Sequence, residues 1–231
     1  MASLRFRCRQ VYWSWVAPGR IRNYINGSQI RKLQIGSGSN LLPDWLNTTL
    51  YPFAPGTVFL NACLPFPVPD DSFDYVFSEH VIEHLEFEDC SRMLRECHRI
   101  LRDGGRIRLA TPDLERIIAL YTRPDGRAQQ HYIRWIMDNF RPQVGEYSPA
   151  HVINQSFHGW RHKFIYDGAT LSKALQDAGF VGVDRVEPGQ SGDANLRGIE
   201  QHGQYVGSEE AMRYETMVIE AVKAQAPRGQ R

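Results

Sequence analysis

The sequence lacks several features that would place a protein in a special class at once. None of its apolar runs approaches the roughly 20 residues of a membrane-spanning helix. Its start has no uninterrupted apolar stretch of the kind found in signal peptides. Its four cysteines form no CxxC pair and have no regular spacing, so neither a zinc knuckle nor a disulfide framework is indicated. We therefore expect a cytoplasmic protein with reduced thiols.

Acidic residues are also missing, but only from the N-terminal segment. No Asp or Glu precedes Asp44, while aromatic residues such as Trp13 and Trp15 stand among the bases. The bases of this segment are Arg5, Arg7, Arg9, Arg20, Arg22, Arg31 and Lys32. Two interpretations remain open for residues 1–30, a basic aromatic extension. We prefer a short surface helix that packs its aromatic side chains on the domain; the alternative is contact with a membrane, a polyanion or a protein.

What is present is an ordinary globular composition. The 231 residues are 42% hydrophobic and 23% charged, which is enough apolar surface to form a core. One α/β domain with insertions accommodates this length. We predict that this domain spans residues 31–223, with a lid-like helical insertion at about 113–165, and that residues 224–231 form a flexible tail.

Strand patterns alternate with helix patterns along the chain. The predicted strands are 31–35, 45–50, 57–61, 73–78, 106–110, 181–186 and 216–222, and the predicted helices are 87–101, 113–121, 128–140 and 169–178. The helix at 87–101 is expected to stop at the Asp-Gly-Gly sequence that begins at Asp103. Too few residues separate the first two strands for more than a stunted helix. The pattern predicts a mostly parallel sheet with helices on both faces.

Two polar segments follow predicted strands, at the edge where such sheets bind ligands. Gly36-Ser37-Gly38 follows the first strand, and glycines let backbone N–H groups approach a ligand closely. Ser78-Glu79-His80 ends the strand at 73–78. A glycine turn alone is a weak signal, because any strand-to-helix turn can contain one.

The order of motifs is more informative than any single motif. The relevant segments are 33–38 (LQIGSG), 64–66 (LPF), 71–76 (DSFDYV), 79–85 (EHVIEHL) and 99–105 (RILRDGG). In this order they resemble the class I, S-adenosylmethionine-dependent methyltransferases of the type 11 kind, over residues 31–187. The resemblance implies a Rossmann-like fold with a mostly parallel seven-stranded sheet, and S-adenosylmethionine as the methyl donor.

The resemblance also implies which residues contact this cofactor. Gly36 and Gly38 would pass under its methionine part, Thr49 would hold the ribose hydroxyls, and Asn61 would contact the adenine amino group. Gln34 opens the loop. Ser37, Ala62 and Ser78 complete the predicted set. Relatives often have acids where this chain has Gln34, Thr49 and Asn61, and each lost charge-assisted hydrogen bond weakens binding by about 1 kcal/mol.

A second cluster of candidates begins at His80. His80, Glu83 and His84 share one face if the segment is helical, a set that can ligate a divalent metal or share protons. With His162, Glu83 and His84 resemble the metal site of small-RNA 3′-terminal methyltransferases, which have a glutamate in place of His80. If a metal binds, manganese, iron or zinc is favoured over magnesium, because magnesium prefers oxygen ligands. In the alternative interpretation, Glu83 and His84 only cap a helix and no metal binds.

Without a metal, His80 is the predicted general base for an acceptor hydroxyl, with Glu79 as the second catalytic candidate. The alternative is that His80 only packs against the cofactor. His158, Trp160 and Arg161 are predicted to line the acceptor pocket. Asp113 and Asp167 are interpreted equally well as helix caps or as site residues.

Three functions are compatible with these residues. The leading hypothesis is O-methylation of a small-molecule or glycan hydroxyl, at the cytoplasmic face of a membrane if the N-terminal segment makes a peripheral contact. The second is a catalytically impaired, methyltransferase-like binding subunit. The third is metal-assisted methylation of RNA 3′ ends, which the net charge of +1 disfavours because nucleic-acid binders are usually basic.

Overall fold

The computed structural model describes residues 4–225, and the side chains of residues 9–225. The strands are β1 Lys32–Ile35, β2 Leu46–Thr49, β3 Val58–Phe59, β4 Phe73–Glu79, β5 Leu101–Pro112, β6 Phe180–Val186 and β7 Thr216–Lys223. The α-helices are α1 Leu4–Gly27, α2 Phe87–Ile100, α3 Leu114–Thr122, α4 Arg127–Phe140, α5 Pro149–Asn154, α6 Gly168–Asp177, α7 His202–Val206 and α8 Glu209–Glu215. Short 3-10 turns span Ile82–His84 and Pro142–Val144, and a π-helical turn spans Gln155–Gly159. Most of the predicted tail, residues 226–231, lies outside the described residues.

The seven strands form one sheet in the order β3-β2-β1-β4-β5-β7-β6. All neighbouring pairs are parallel except those of β7, which runs antiparallel to β5 and β6. This confirms the predicted fold class. After β1 the chain adds β2 and β3 on one side of the sheet, and after β4 it adds β5, β6 and β7 on the other. The strand order therefore reverses between β1 and β4, and the carboxyl ends of these two adjacent strands flank the crevice where such sheets bind ligands.

One face of the sheet carries the main hydrophobic core, which is covered by α1, α2 and α6. The apolar residues of α2 recur at three- and four-residue spacing, and all of them are buried: Cys90, Met93, Leu94, Cys97 and Ile100. Each buried aliphatic side chain of this kind contributes roughly 1.5–3 kcal/mol. The helix ends at Ile100, earlier than predicted, because the Asp-Gly-Gly sequence already belongs to β5.

The opposite face has a smaller core that loops complete. Phe77, Ala110 and Val218 of the sheet pack there against Leu42, Trp45 and Leu196, which lie in connecting segments. The crossover at residues 36–45 between β1 and β2 contains no helix, in agreement with the short spacing. Helices therefore contribute less to this face than predicted.

Helix α1 is longer and more integral than the sequence suggests. It has 24 residues, and its Ala17 and Ile21 lie in the main core, so a boundary at residue 30 does not separate two packing units. The expectation that its aromatic side chains pack on the domain is wrong for two of them, because Tyr12 is 64% exposed and Trp15 is 87% exposed. No helix within residues 4–225 is long and apolar enough to cross a membrane.

The helices of the predicted insertion form a second hydrophobic cluster, which also includes α8 from a later part of the chain. Buried side chains of α3, α4, α5 and α8, among them Leu120, Tyr132 and Met212, pack together. Asp113 and Asp167 cap α3 and α6, since their carboxylates accept hydrogen bonds from the backbone N–H groups of Glu115 and Thr170. The helix-cap interpretation of both acids is confirmed.

Candidate active site

A cavity of about 470 Å³ lies outside the carboxyl ends of β1 and β4. This volume is typical of a small-molecule site. The loop after β1 contributes Gln34, Gly36, Ser37, Gly38, Ser39 and Asn40, and the end of β4 contributes Glu79, His80, Glu83 and His84. Later segments contribute Trp135, Phe140, Trp160, His162, His202, Tyr205, Val206, Met212 and Glu215. The fold thus brings together both polar segments that the sequence placed at this edge.

The glycine loop has the backbone that close approach to a ligand requires. Gly36 has φ +75°, and an added Cβ would stand 2.2 Å from Cγ2 of Val81. Gly38 has φ +53°, and an added Cβ would meet nothing within 4 Å, so open space lies beside it. Next to the loop, the buried Oε1 of Gln34 has no hydrogen-bond partner among the residues that the structure describes. This end of the cavity therefore offers open backbone and one vacant acceptor atom, which fits an amino acid moiety such as the methionine part of the predicted cofactor.

Four of the predicted cofactor residues do not line the cavity: Thr49, Asn61, Ala62 and Ser78. The Oγ1 atom of Thr49 accepts a hydrogen bond from the N–H of Tyr51 at 3.4 Å, and Oδ1 of Asn61 accepts one from the N–H of Cys63 at 3.0 Å. Local turns therefore occupy these two side chains. Ala62 packs against the main core, and Ser78 is buried with its hydroxyl unpartnered.

His80 occupies a strained backbone position directly after β4. Its φ is +50°, a left-handed conformation that costs a non-glycine residue of order 1–3 kcal/mol. Its Nδ1 lies 3.0 Å from Oε1 of Glu83, and its ring stacks on that of His202 with centroids 4.0 Å apart. The Nε2 atom is buried without a partner. The strain thus holds one imidazole between a carboxylate and a second imidazole.

Glu83 is fully buried, and both its side chain and its backbone carbonyl accept hydrogen bonds. Its Oε2 accepts a hydrogen bond from the hydroxyl of Thr111 at 3.1 Å. Its backbone carbonyl accepts hydrogen bonds from the N–H groups of Lys163 and Phe164 at 2.6 and 3.2 Å. The side chain makes no helix-cap bond to a backbone N–H group, but it does hydrogen-bond to His80 near the start of the 3-10 turn. Glu83 thus joins the end of β4 to β5 and to the segment that carries His162.

The buried charges give the two stacked histidines opposite protonation states. Burial opposes charge on His80, but the hydrogen bond and charge of Glu83, with Glu215 and Glu79, outweigh it and raise its pKa to about 9. Burial and the neighbouring His80 lower the pKa of His202 to about 3. The imidazolium at His80 likewise holds the pKa of Glu83 below its usual range, in spite of burial. At neutral pH the pair therefore carries one positive charge, on His80.

Glu79 lines the cavity and also holds a backbone segment. Its carboxylate accepts hydrogen bonds from the N–H groups of Gln201, at 3.1 Å, and His202, at 3.0 Å. Burial raises the pKa of this carboxyl, although the two backbone bonds oppose the shift. Glu79 thus fixes the start of α7, which places His202 and Tyr205 in the cavity wall.

Three side chains can supply metal ligands on the same wall. Single ligand atoms of Glu83, His84 and His162 all lie within 4.8 Å of one another, and no other such group of three occurs within the described part of the chain. The Nδ1 atom of His162 lies 2.6 Å from the carbonyl oxygen of Ser156, which leaves Nε2 available, as in metal-binding histidines. Burial also lowers the pKa of His162, which favours the neutral form that binds metals.

Of the three predicted acceptor residues, only Trp160 lines the cavity. His158 lies in the π-helical turn and Arg161 directly after Trp160, and both are exposed. Trp160 instead meets Phe140 edge to face at 5.1 Å, and Phe140 meets Trp135 at 5.4 Å. The aromatic part of the wall therefore comes from α4 as well as from the segment after α5.

Several cavity residues lie outside the sequence prediction, namely Trp135, Phe140, His202, Tyr205, Met212 and Glu215. The segment before α7 is rich in glycine and has no hydrophobic period, so nothing local singles out His202. Glu215 is the last residue of a short helix, and only its burial against Tyr132 and the cavity distinguishes it from a surface acid.

Comparison with known proteins gives a short but specific sequence match. Residues 53–109 match the family model described as a methyltransferase domain. Probable S-adenosylmethionine-dependent methyltransferases from two strains of Mycobacterium tuberculosis are 47% identical over 47 residues, which are 20% of this chain and 16% of each relative. The match therefore spans a small part of those relatives.

Solved structures match along most of the chain at low identity. An S-adenosylmethionine-dependent methyltransferase from Archaeoglobus fulgidus is 18% identical, with a TM-score of 0.48, over 96% of this chain and all of that one. One from Mesorhizobium loti is also 18% identical, with a TM-score of 0.49, over 91% of this chain and 97% of that one. Likeness at this level adds nothing about activity.

The mostly parallel seven-stranded sheet and the glycine turn at the end of β1 agree with what the resemblance to class I methyltransferases implies. The matched segment, residues 53–109, is thus similar to the methyltransferase domain family.

Proposed function

We propose that the chain transfers a methyl group from S-adenosylmethionine to a hydroxyl of a small molecule or glycan bound in the cavity. One observation carries this proposal: the open glycine loop and the vacant Oε1 of Gln34 share a single cavity with the stacked pair of His80 and His202. The donor end and the proton-handling end are thus next to each other, as group transfer requires.

The charge of the cavity supports a cationic ligand. Three carboxyl groups line it, those of Glu79, Glu83 and Glu215, and His80 adds one protonated imidazole. S-adenosylmethionine, when bound, supplies a methyl carbon on a positively charged sulfur. Carboxylates in a partly buried site attract such a charge more strongly than they would in water. Gln34 and the backbone at Gly38 would hold its amino acid moiety.

The ring of His202 can accept the hydroxyl proton. Since His80 is already protonated at neutral pH, we assign the proton acceptor to the neutral ring of His202, and its low pKa means that the proton then passes to solvent. The carboxylate of Glu83 stabilises the charge on His80, and the carboxylate of Glu79 accepts a hydrogen bond from the backbone N–H of His202 and so fixes its position. In these roles, as for any general base, the accepting nitrogen must lie within hydrogen-bond distance of the hydroxyl.

The aromatic wall indicates the acceptor class. Trp135, Phe140 and Trp160 form edge-to-face contacts on one side of the cavity. Aromatic rings stack on the apolar faces of sugars and of other rings and bury large areas. A ring-bearing hydroxyl compound fits this wall. The peripheral membrane or protein contact predicted for the N-terminal segment belongs to α1 and is separate from the transfer step.

Calorimetry with S-adenosylhomocysteine and transfer assays with labelled methyl donor test the proposal together. We expect donor binding, and transfer to at least one member of a panel of sugars and hydroxylated ring compounds. The His202→Ala and Trp160→Ala variants should retain donor binding and lose transfer. Donor binding without transfer to any acceptor would favour the impaired binding subunit. Absence of binding at millimolar ligand would refute the proposal.

Metal-assisted transfer is a second candidate, favoured by the grouping of Glu83, His84 and His162. Under this candidate, manganese or zinc should bind at one equivalent and raise the transfer rate, on RNA 3′ ends or on small acceptors. His84→Ala and His162→Ala should abolish both effects, while the control His158→Ala, outside the cavity, should not. Transfer that is insensitive to chelators would eliminate this candidate.

A further inference from the structure

Helix α1 presents a side that the rest of the described chain does not cover. Val11 and Tyr12 are each 64% exposed and Trp15 is 87% exposed, while Ala17 and Ile21 on the opposite side lie in the main core. Positions 11, 12 and 15 share one face of a helix. Large apolar side chains that cluster in this way mark interaction surfaces, unlike single exposed ones.

A partly buried residue of α1, Trp13, joins the helix to exposed aromatic residues of a neighbouring loop. Trp13 meets Phe53 edge to face at 5.2 Å, and Phe53 lies beside Tyr51 at 6.4 Å. Tyr12 and Trp13 also share a groove of about 120 Å³ with Pro52 of the same loop. We call Val11, Tyr12, Trp15, Tyr51 and Phe53 the α1 aromatic patch.

The charges around the α1 aromatic patch are of one sign. Arg9 precedes Tyr12 by three residues and Arg22 follows Trp15 by seven, so both lie on the exposed side of the helix, and both are exposed. The sequence has no acid before Asp44, and the groove beside the patch has no acidic lining residue. Such a surface is complementary to an anionic partner.

Contacts at the two ends of α1 fix the position of the patch on the fold. The hydroxyl of Tyr24 donates to the carbonyl of Lys32, at the start of β1, at 3.0 Å. Trp13, by contrast, contacts the loop that follows the end of β2. The helix therefore runs antiparallel to β1, and its exposed half lies at the carboxyl edge of the sheet, the same edge as the cavity.

We propose that the α1 aromatic patch docks the protein on an anionic lipid surface. Trp and Tyr prefer the headgroup level of a bilayer, and neighbouring arginines are attracted to anionic lipids. The patch lies on the exposed side of one helix and on one loop, and its helical part resembles helices that lie in the plane of an interface. This inference goes beyond the proposed transfer reaction and needs neither donor nor acceptor.

Vesicle sedimentation with the full chain tests the inference. We expect partition onto vesicles of phosphatidylcholine mixed with phosphatidylglycerol, weaker partition onto phosphatidylcholine alone, and loss of the difference at high salt. The double variant Tyr12→Ala, Trp15→Ala should bind the anionic vesicles at least about tenfold more weakly. Tyr121→Ala, which removes an exposed aromatic residue of α3, is the matched control and should bind like the wild type.

A second pair of variants separates charge from apolar contact. The double variant Arg9→Ala, Arg22→Ala should bind anionic vesicles more weakly and phosphatidylcholine vesicles as well as the wild type does. The control variant Arg95→Ala, Arg127→Ala, which also removes two exposed arginines, should bind both kinds of vesicle like the wild type. Unchanged thermal unfolding midpoints show that the variants remain folded. Two results would overturn the inference: equal partition of wild type and the Tyr12, Trp15 variant, or lipid-free self-association that this variant abolishes, which would assign the patch to a second copy of the chain.

Discussion

The two sides of the carboxyl edge are built in different ways. Beyond β4, the cavity wall gathers buried and half-buried ionisable groups from distant segments, such as His80, His162, His202 and Glu215. Beyond β2 and β3, Thr49 and Asn61 are neutral, and their side chains bond within two residues along the chain. The first side is held by long-range contacts and the second by local turns.

This difference separates two requirements of a transferase. Proton handling needs buried charges in fixed positions, and those can be stabilised only by partners from other parts of the fold. Holding a donor needs space and a few polar atoms, which the glycine loop and Gln34 provide from consecutive residues. We therefore expect substitutions beyond β4 to affect stability and activity together, and those beyond β2 and β3 to have small effects.

The largest effect is expected for Glu83→Gln. It leaves the imidazolium of His80 buried without its carboxylate, and breaking such a pair costs about 3–5 kcal/mol of unfolding free energy. Urea titration measures this loss, and transfer should disappear as well. The control is Glu86→Gln, which removes an exposed partner of Lys163 and should cost about 0–1 kcal/mol. Equal losses in the two variants would show that burial does not distinguish these ion pairs.

The pH dependence of stability should carry the signature of His80. Its folded pKa, about 9, lies above the ordinary value of 6.5, so its stabilising contribution is complete below about pH 6.5 and is lost as pH rises through 9. The difference in unfolding free energy between the wild type and His80→Gln should shrink by about 3 kcal/mol from pH 6 to pH 10. A gap that stays constant across this range would contradict a charged His80.

The two glycines of the loop should respond differently to alanine. Both have positive φ, so each substitution costs about 1–2 kcal/mol in backbone strain. Gly36→Ala adds a collision with Val81, whereas Gly38→Ala meets open space. Thermal unfolding should therefore rank Gly36→Ala as the less stable variant, and Val81→Ala should partly rescue it. Equal stability of the two single variants would mean that the loop can shift away from Val81.

The smallest effects concern donor binding. Gln34→Leu removes the vacant Oε1 atom and should weaken S-adenosylhomocysteine about five- to tenfold, or about 1 kcal/mol. Thr49→Val and Asn61→Ala should change the affinity less than about twofold, because these side chains lie outside the cavity. Calorimetry measures all three. A larger loss of affinity in Thr49→Val than in Gln34→Leu would contradict this ranking and would show that the donor site extends toward β2.

Local patterns predicted much of the fold. The alternation that ends at Gly36 predicted β1, and the spacing of Met93, Leu94 and Cys97 predicted α2, because one buried face imposes a period on the sequence. Patterns failed for α1, where apolar residues such as Tyr12 and Trp15 lie on the exposed side as well as the buried one. Helices α7 and α8 were not predicted, because they are too short to show a period.

By itself, the sequence determined the fold class, the glycine loop and the approach of His80 to Glu83, all of which depend on residues close together in the chain. Tertiary structure alone decided that His202 stacks on His80, that Glu79 holds the backbone of α7, and that Thr49, Asn61, His158 and Arg161 lie outside the cavity. The physical reason is range: a period or a turn is specified by neighbouring residues, whereas a buried charge network exists only where distant segments exclude water together.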